Sequence, residues 1–225
     1  MAYSRPEIHV GASGWQFEAW ENSFYPDDLP ANWRFSFYSN EFQGVLIPYE
    51  YLSRYSLDDW KEWGEDTPKA FAFYVELSQD AEWKQIAPYL SVLGEQLKGV
   101  VVVIEKQPDL DALASLIQHI KSVAPISIKR VGSAVSDRDM KTLQSCYEVN
   151  ECWDGGGQAP IWSYGGAAIL LRSDKDQNTP DILRQLVEKG LGYAGKCDTI
   201  ALLFEGAPPK ISDMRNAQTI TELLV

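Results

Sequence analysis

Apolar residues recur along the chain in short continuous runs separated by polar stretches. The clearest run is Val100-Val101-Val102-Val103-Ile104. A strand with an unbroken apolar run is buried on both faces, which is typical of a parallel sheet covered by helices. The same reasoning predicts eight strands, over residues 7–12, 44–48, 70–77, 99–105, 125–131, 149–153, 168–172 and 199–205.

Amphipathic stretches lie between these strands and predict helices. Residues 110–117 place apolar side chains three and four positions apart after Pro108-Asp109, and residues 181–187 do the same after Thr179-Pro180. Residues 58–63, 81–93 and 211–225 have weaker helical patterns. Eight strands alternating with helices predict a compact α/β fold, a (β/α)₈ TIM-type barrel, built as one domain over residues 1–225. Residues 137–166 are the least regular, so we expect an irregular or shortened sixth β/α unit.

Composition narrows the possible partners. The chain has 32 acidic and 20 basic residues, for a net charge of −12, which disfavours nucleic acid and anionic membranes. Cys146, Cys152 and Cys197 have no metal or redox spacing, and no apolar run reaches the roughly 18 residues of a membrane helix. We therefore expect a cytoplasmic protein with no cofactor and no bound metal. The oligomeric state is left open.

The first strand leads into an unusual segment rich in small and aromatic residues. It reads Gly11-Ala12-Ser13-Gly14-Trp15, with Trp20 and then Phe24-Tyr25-Pro26 close behind. With these motifs the chain resembles the YecE-like family, the domain of unknown function 72, as a divergent member. The resemblance is specific over residues 7–77 and implies a TIM-type barrel. It implies no reaction, because the family's activity is not established.

The chain departs from the family pattern at several polar positions near strand ends. The family's Val-Glu-Ile-Asn after strand two reads Val45-Leu46-Ile47-Pro48, and Glu76 stands where a lysine usually ends strand three. An Asn-Asn turn is replaced by Glu205-Gly206. These differences change the charge of the expected site.

In an α/β barrel the carboxyl ends of all strands meet at one mouth, where barrel enzymes keep their active sites. The predicted mouth residues are Ser13, Trp15, Glu50, Tyr51, Glu76, Glu105, Lys106, Arg130, Arg172, Asp174 and Glu205. Glu76, Glu105 and Glu205 are candidate catalytic acids, since neighbouring buried carboxyls keep their protons to higher pH. Lys106, Arg130 and Arg172 are candidates to hold an anionic or carbonyl-bearing ligand. Alternatively, these charges pair with each other and seal the barrel.

The aromatic residues allow two interpretations. Trp15, Trp20, Tyr25, Tyr49 and Tyr51 could stack on a sugar, with Trp15 and Tyr51 best placed; the alternative, which we favour, is that they pack the first loop against helices. Ser13 is a further ligand candidate but better explained as a loop residue, because a nucleophile elbow would need glycine at Trp15.

Three functions remain open at this point. The first is an uncharacterised barrel protein that binds a small polar ligand at its mouth. The second is a barrel that has lost its chemistry and acts as a binding or regulatory protein. The third is a carboxylate-dependent enzyme acting on a sugar or phosphorylated metabolite, which rests on the fold alone.

Overall fold

Eight parallel strands form a ring in a computed structural model that describes residues 6–157, 160, 162–173, 175–193 and 197–224. The strands are β1 (Glu7–Ser13), β2 (Gly44–Ile47), β3 (Ala72–Ser78), β4 (Leu97–Ile104), β5 (Ile126–Arg130), β6 (Asn150–Glu151), β7 (Ala167–Ser173) and β8 (Thr199–Glu205). Their order around the sheet is β6-β5-β4-β3-β2-β1-β8-β7, and each neighbouring pair is parallel.

The ring closes between β6 and β7 through Trp153, two residues beyond β6. The Trp153 amide donates to the Ile169 carbonyl at 3.0 Å, and the Leu171 amide donates to the Trp153 carbonyl at 2.8 Å. The predicted (β/α)₈ barrel is therefore confirmed. The short sixth unit is also confirmed, because β6 spans two residues and the described residues between β6 and β7 contain no helix.

Helices pack around the outside of the ring. They are α1 (Arg34–Glu41), α2 (Tyr51–Arg54), α3 (Leu57–Asp66), α4 (Trp83–Leu93), α5 (Leu110–Lys121), α6 (Asp137–Tyr147), α7 (Pro180–Tyr193) and α8 (Ile211–Leu224). Helix α5 illustrates their construction: the Asp109 carboxylate accepts from two free backbone amides of its first turn, and Leu113, Ile117 and Ile120 are buried against the sheet. Within the described chain, no helix combines the length and apolar character needed to cross a membrane.

Residues 137–166, expected to be the least regular part of the chain, begin with a regular helix, α6. Its first turn is fixed by Ser136, whose hydroxyl accepts from the Asp139 amide at 3.1 Å. Only Met140 and Leu143 of this helix are fully buried, so its apolar stripe was too narrow to be recognised in the sequence. Helices α1 and α2 were likewise not predicted.

Two separate apolar clusters result from the alternation of side chains along the strands. One lies between the strands and the helices. The other fills the barrel interior and consists of Leu46, Ala72, Tyr74, Val101, Val103, Ala167, Ile169, Leu171, Ala201 and Leu203. The interior is therefore a packed core, and the open space lies at its carboxyl end.

Candidate functional site

Lys129 lies at the carboxyl end of the barrel interior. On β5, Ile126 and Ile128 pack outward against the helices, so the alternation of a strand turns Ser127 and Lys129 inward. Lys129 consequently comes from the inward-facing set of residues, directly above the apolar interior.

Two glutamates from other strands meet this lysine. Lys129 Nζ donates a hydrogen bond to Glu205 Oε1, from the end of β8, and lies 3.6 Å from Glu76 Oε2, from β3. The three side chains are mostly withdrawn from water, with exposed fractions of 25% for Lys129, 18% for Glu76 and 29% for Glu205. We call Lys129, Glu76 and Glu205 the mouth cluster.

Burial controls the electrostatics of the mouth cluster. Burial raises the pKa of Glu76 above its ordinary value; Lys129 opposes this rise, while Glu205 and Glu50 add to it. Burial alone would lower the pKa of Lys129, but the two glutamates outweigh it and the net pKa is raised. Lys129 is therefore a fixed ammonium at neutral pH, and Glu76 is a carboxylate that takes up a proton more readily than an exposed one.

Two clefts border the mouth cluster. The larger, of about 720 Å³, is lined by Lys129, Glu205, Cys152 and Leu171 among others. The smaller, of about 370 Å³, is lined by side chains that include Glu50, Glu76, Val103, Glu105 and Lys106. Leu171 and Val103 belong to the interior cluster, so each cleft has an apolar wall beside its charged groups.

Cys152 is the thiol nearest to these charges. Burial raises its pKa, against the effect of Lys129, so the thiol stays protonated at neutral pH. Among the described residues, no group of three histidine, cysteine or acidic side chains is arranged to hold a metal ion.

The three basic residues predicted as ligand contacts are engaged in other interactions. Lys106 is 69% exposed and forms an ion pair with Asp80 at 2.7 Å. Arg130 Nε donates to Glu151 at 2.6 Å, and its Nη1 donates to Asp137 at 2.8 Å. Arg130 lies on the wall of the larger cleft but is already paired with two carboxylates.

Arg172 is buried, and its guanidinium is held by hydrogen bonds to two neighbouring loops. Its guanidinium donates to Asn178 Oδ1 at 3.0 Å, to the Gln177 carbonyl at 3.3 Å and to the Asp154 carbonyl, and lies 3.6 Å from Asp176. These contacts join the β7–α7 loop to the loop after β6. Arg172 thus faces away from the barrel interior and contacts Asp154 and Asp176, which line the larger cleft.

Trp15 and Tyr51 lie in the core instead of facing the mouth. Trp15 is 0% and Tyr51 5% exposed. The Trp15 ring packs at centroid distances of 4.4 Å from Phe35, 4.7 Å from Trp63 and 5.0 Å from Tyr51. Trp20 and Tyr25 are also buried, and of the five proposed stacking residues only Tyr49 is substantially exposed, at 40%. The packing interpretation therefore describes this loop better than a stacking platform.

The other predicted residues have mixed positions. Ser13 is the last residue of β1 and lies on the same face of that strand as His9. His9 contacts Tyr74 inside the barrel, so Ser13 belongs to the inward-facing residues as well. Glu105 and Glu50 are exposed on the wall of the smaller cleft. Asp174 lies outside the described residues.

Lys129 is the residue that the sequence reasoning missed. Arg130 was chosen because it ends the predicted strand, yet Ile126-Ser127-Ile128-Lys129-Arg130 alternates apolar and polar residues. A strict period of two places Lys129, not Arg130, on the face opposite Ile126 and Ile128. That signal was present in the sequence.

Comparisons with known proteins agree with this architecture. A DUF72 family protein from Thermotoga maritima superposes with a TM-score of 0.66 at 13% identity, over 97% of this chain and 99% of that one. One from Enterococcus faecalis gives 0.67 at 10% identity, over 96% and 95%. Phosphoribosyl anthranilate isomerase from Thermotoga maritima gives 0.50 at 13% identity, over 96% and 98%, which reflects the shared barrel fold.

Sequence similarity identifies the family. No curated protein matches the chain significantly. The profile of the family described as "Protein of unknown function DUF72" matches residues 9–123, just over half of the chain, and this range includes the aromatic-rich segment after β1 and all of β2, β3 and β4. The chain belongs to the DUF72 family, whose function is not established.

Proposed function

We propose that the mouth of the barrel binds a small polar ligand at the mouth cluster. The observation that carries this proposal is a lysine held between two largely buried carboxylates beside two open clefts. Removing three charged groups from water costs free energy, and apolar side chains of similar volume at these positions would make the fold at least as stable. A polar cluster next to open space supplies directed donors and acceptors, which are what orient a small ligand in a pocket.

The charges of the two clefts favour a neutral ligand over an anionic one. Their described lining contains eight acidic and three basic side chains. The basic residues are already paired with carboxylates, as described above for Lys106, Arg130 and Lys129. A phosphate or carboxylate would meet excess negative charge, whereas hydroxyl and carbonyl groups can exchange hydrogen bonds with Lys129, Glu76 and Glu205.

A binding screen on the purified protein tests this proposal. Thermal shift and ligand-observed NMR would compare free sugars, sugar phosphates, dicarboxylates and diamines against the wild type and Lys129→Met. Lys84→Met, an exposed lysine on α4, is the matched control. We expect free sugars to bind the wild type and Lys84→Met, and Lys129→Met to lose this binding while its circular dichroism stays native. If none of the four classes binds the wild type, the proposal is wrong.

The remaining expectations stay predictions. These are one domain over residues 1–225, a cytoplasmic location, and the absence of a cofactor and of nucleic-acid partners. The alternative of a non-catalytic binding or regulatory barrel is separated from an enzyme by the experiment of the next section.

A further inference from the structure

We propose that the mouth cluster catalyses proton transfer at the carbon next to the carbonyl group of a neutral hydroxyaldehyde or hydroxyketone. This inference rests on the proposed function, since the substrate must first bind at the same cluster. It assigns Lys129 as the group that holds the carbonyl oxygen, Glu76 as the base and Glu205 as the residue that positions Lys129.

Lys129 is placed to donate a hydrogen bond to a carbonyl oxygen and so polarise the carbonyl group. An ammonium group has three N–H donors. One is directed at Glu205 and another faces Glu76 at 3.6 Å, and no other acceptor among the described residues is hydrogen-bonded to Nζ, which leaves a third donor for a ligand oxygen. The raised pKa of Lys129 keeps the amine protonated, which excludes it as a nucleophile for a Schiff base but suits it to stabilise an oxyanion. The partly apolar walls strengthen that attraction.

Glu76 is placed to act on a carbon bound beside that oxygen. Its carboxylate lies 3.6 Å from Lys129 Nζ and lines the smaller cleft, whereas Lys129 lines the larger one, so a ligand whose oxygen is held by Lys129 where the two residues meet would have its neighbouring carbon next to Glu76. A general base must come within about 2.6–3.2 Å of the atom that carries the proton. Its raised pKa brings proton uptake closer to neutral pH.

The reaction balances without a further reactant. The C–H bond next to the carbonyl breaks and its proton moves to the Glu76 carboxylate. The C–H electron pair forms the C=C bond of an enediolate, whose oxygen is held by Lys129. Glu76 then returns the proton either to the same carbon, which gives exchange, or to the neighbouring carbon. In the second case the hydroxyl proton of the enediolate also passes to its oxyanion, so that aldehyde and ketone interconvert. One carbon is then reduced and its neighbour oxidised within the same molecule.

The cleft charges restrict the substrate to an uncharged sugar. Eight acidic and three basic side chains line the two clefts, so a phosphate ester would be repelled. With volumes of about 720 and 370 Å³, either cleft has room for a sugar of several carbons.

Solvent-exchange NMR tests the inference. Dihydroxyacetone, D-xylulose and D-fructose would be incubated in D₂O with the wild type, Glu76→Gln and the exposed control Glu62→Gln, and loss of the proton next to the carbonyl would be followed. We expect exchange above the buffer rate for the wild type and Glu62→Gln with at least one probe. Glu76→Gln should lose about 100-fold or more of that rate while still binding the sugar. The wild-type rate should also rise with pH as Glu76 ionises.

The outcomes separate the two proposals. Binding of a probe to the wild type with no exchange above buffer overturns the catalytic inference and leaves the binding proposal standing. Binding of none of the three probes overturns the catalytic inference, and the binding proposal falls as well only if none of the four ligand classes binds. Exchange that persists in Glu76→Gln overturns the assignment of the base, and native circular dichroism of that variant excludes misfolding as the reason for any loss.

Discussion

Replacement of Lys129 by methionine probes the electrostatic balance of the barrel mouth. The substitution keeps most of the side-chain volume and removes the charge, leaving Glu76 and Glu205 without their shared cation. At 3.6 Å and an effective dielectric constant of about 20, one such attraction amounts to roughly 4–5 kcal/mol before desolvation. Loss of one partner costs about 3–5 kcal/mol in a buried pair, and exposed pairs are worth about 0–1 kcal/mol.

The mouth cluster lies between these limits, because its side chains are 18–29% exposed. We therefore expect Lys129→Met to lower the free energy of unfolding by about 2 kcal/mol at pH 8. Without Lys129 the pKa of Glu76 rises further above its ordinary 4.5. A carboxyl group whose pKa is higher in the folded state than in the unfolded chain binds more protons when folded. The free energy of unfolding therefore falls as pH rises above the ordinary pKa of that group. The loss should thus be smaller at pH 5 than at pH 8.

Urea unfolding followed by fluorescence of the eight tryptophans would measure this difference at both pH values. Lys106→Met, which breaks the exposed pair with Asp80, is the control and should leave the midpoint unchanged. Adding Glu76→Gln and Glu205→Gln to Lys129→Met should recover stability at pH 8. Equal destabilisation by Lys129→Met at both pH values would mean that only packing was lost, and our electrostatic reasoning would be refuted.

Two further predictions concern His9, which lies inside the barrel, and the contact between β1 and β2. Burial lowers the pKa of His9 from 6.5 to about 4, so the folded protein binds the His9 proton less readily than the unfolded chain does. The free energy of unfolding is therefore unaffected by His9 protonation above pH 6.5 and should fall by roughly 3 kcal/mol as pH drops to 4. His9→Gln, measured by urea unfolding across this range, should lose much of that acid sensitivity; an unchanged pH profile would contradict the cause. Gly11→Ala would place its Cβ 1.9 Å from the Gly44 carbonyl oxygen, so we expect a loss of about 3 kcal/mol or more in thermal unfolding experiments. The control Gly192→Ala has open space and should be neutral or stabilising, and a Gly11→Ala protein as stable as the control would show that the strands can separate at no cost.

The barrel was predictable from the sequence because its strands carry continuous apolar runs. The predicted 199–205 matches β8, and the run at Val100–Ile104 lies within β4. Helix α6 was missed because its buried stripe is narrow, and the helix is recognisable mainly from the Ser136 cap. Local sequence patterns thus predicted the apolar strands better than they predicted the more polar helices.

The candidate site was only partly predictable. Glu76 and Glu205 were found because strand ends converge in a barrel. Lys129 could have been found from the alternation along β5. The burial of Trp15 could not, since it depends on how Phe35 of α1 and Trp63 of α3 pack around the loop after β1. The pairing of Arg172 with the loop after β6 likewise depends on contacts between distant segments.

The measurement that tests the mouth cluster most directly is a ¹³C NMR titration of the Glu76 side-chain carboxyl in the wild type and in Lys129→Met. We predict a Glu76 pKa above its ordinary 4.5 in the wild type and a higher one in the variant, because burial raises it and Lys129 holds it down. A Glu76 carboxyl that titrates at its ordinary value, and does so unchanged without Lys129, would contradict a coupled cluster at the mouth of this barrel.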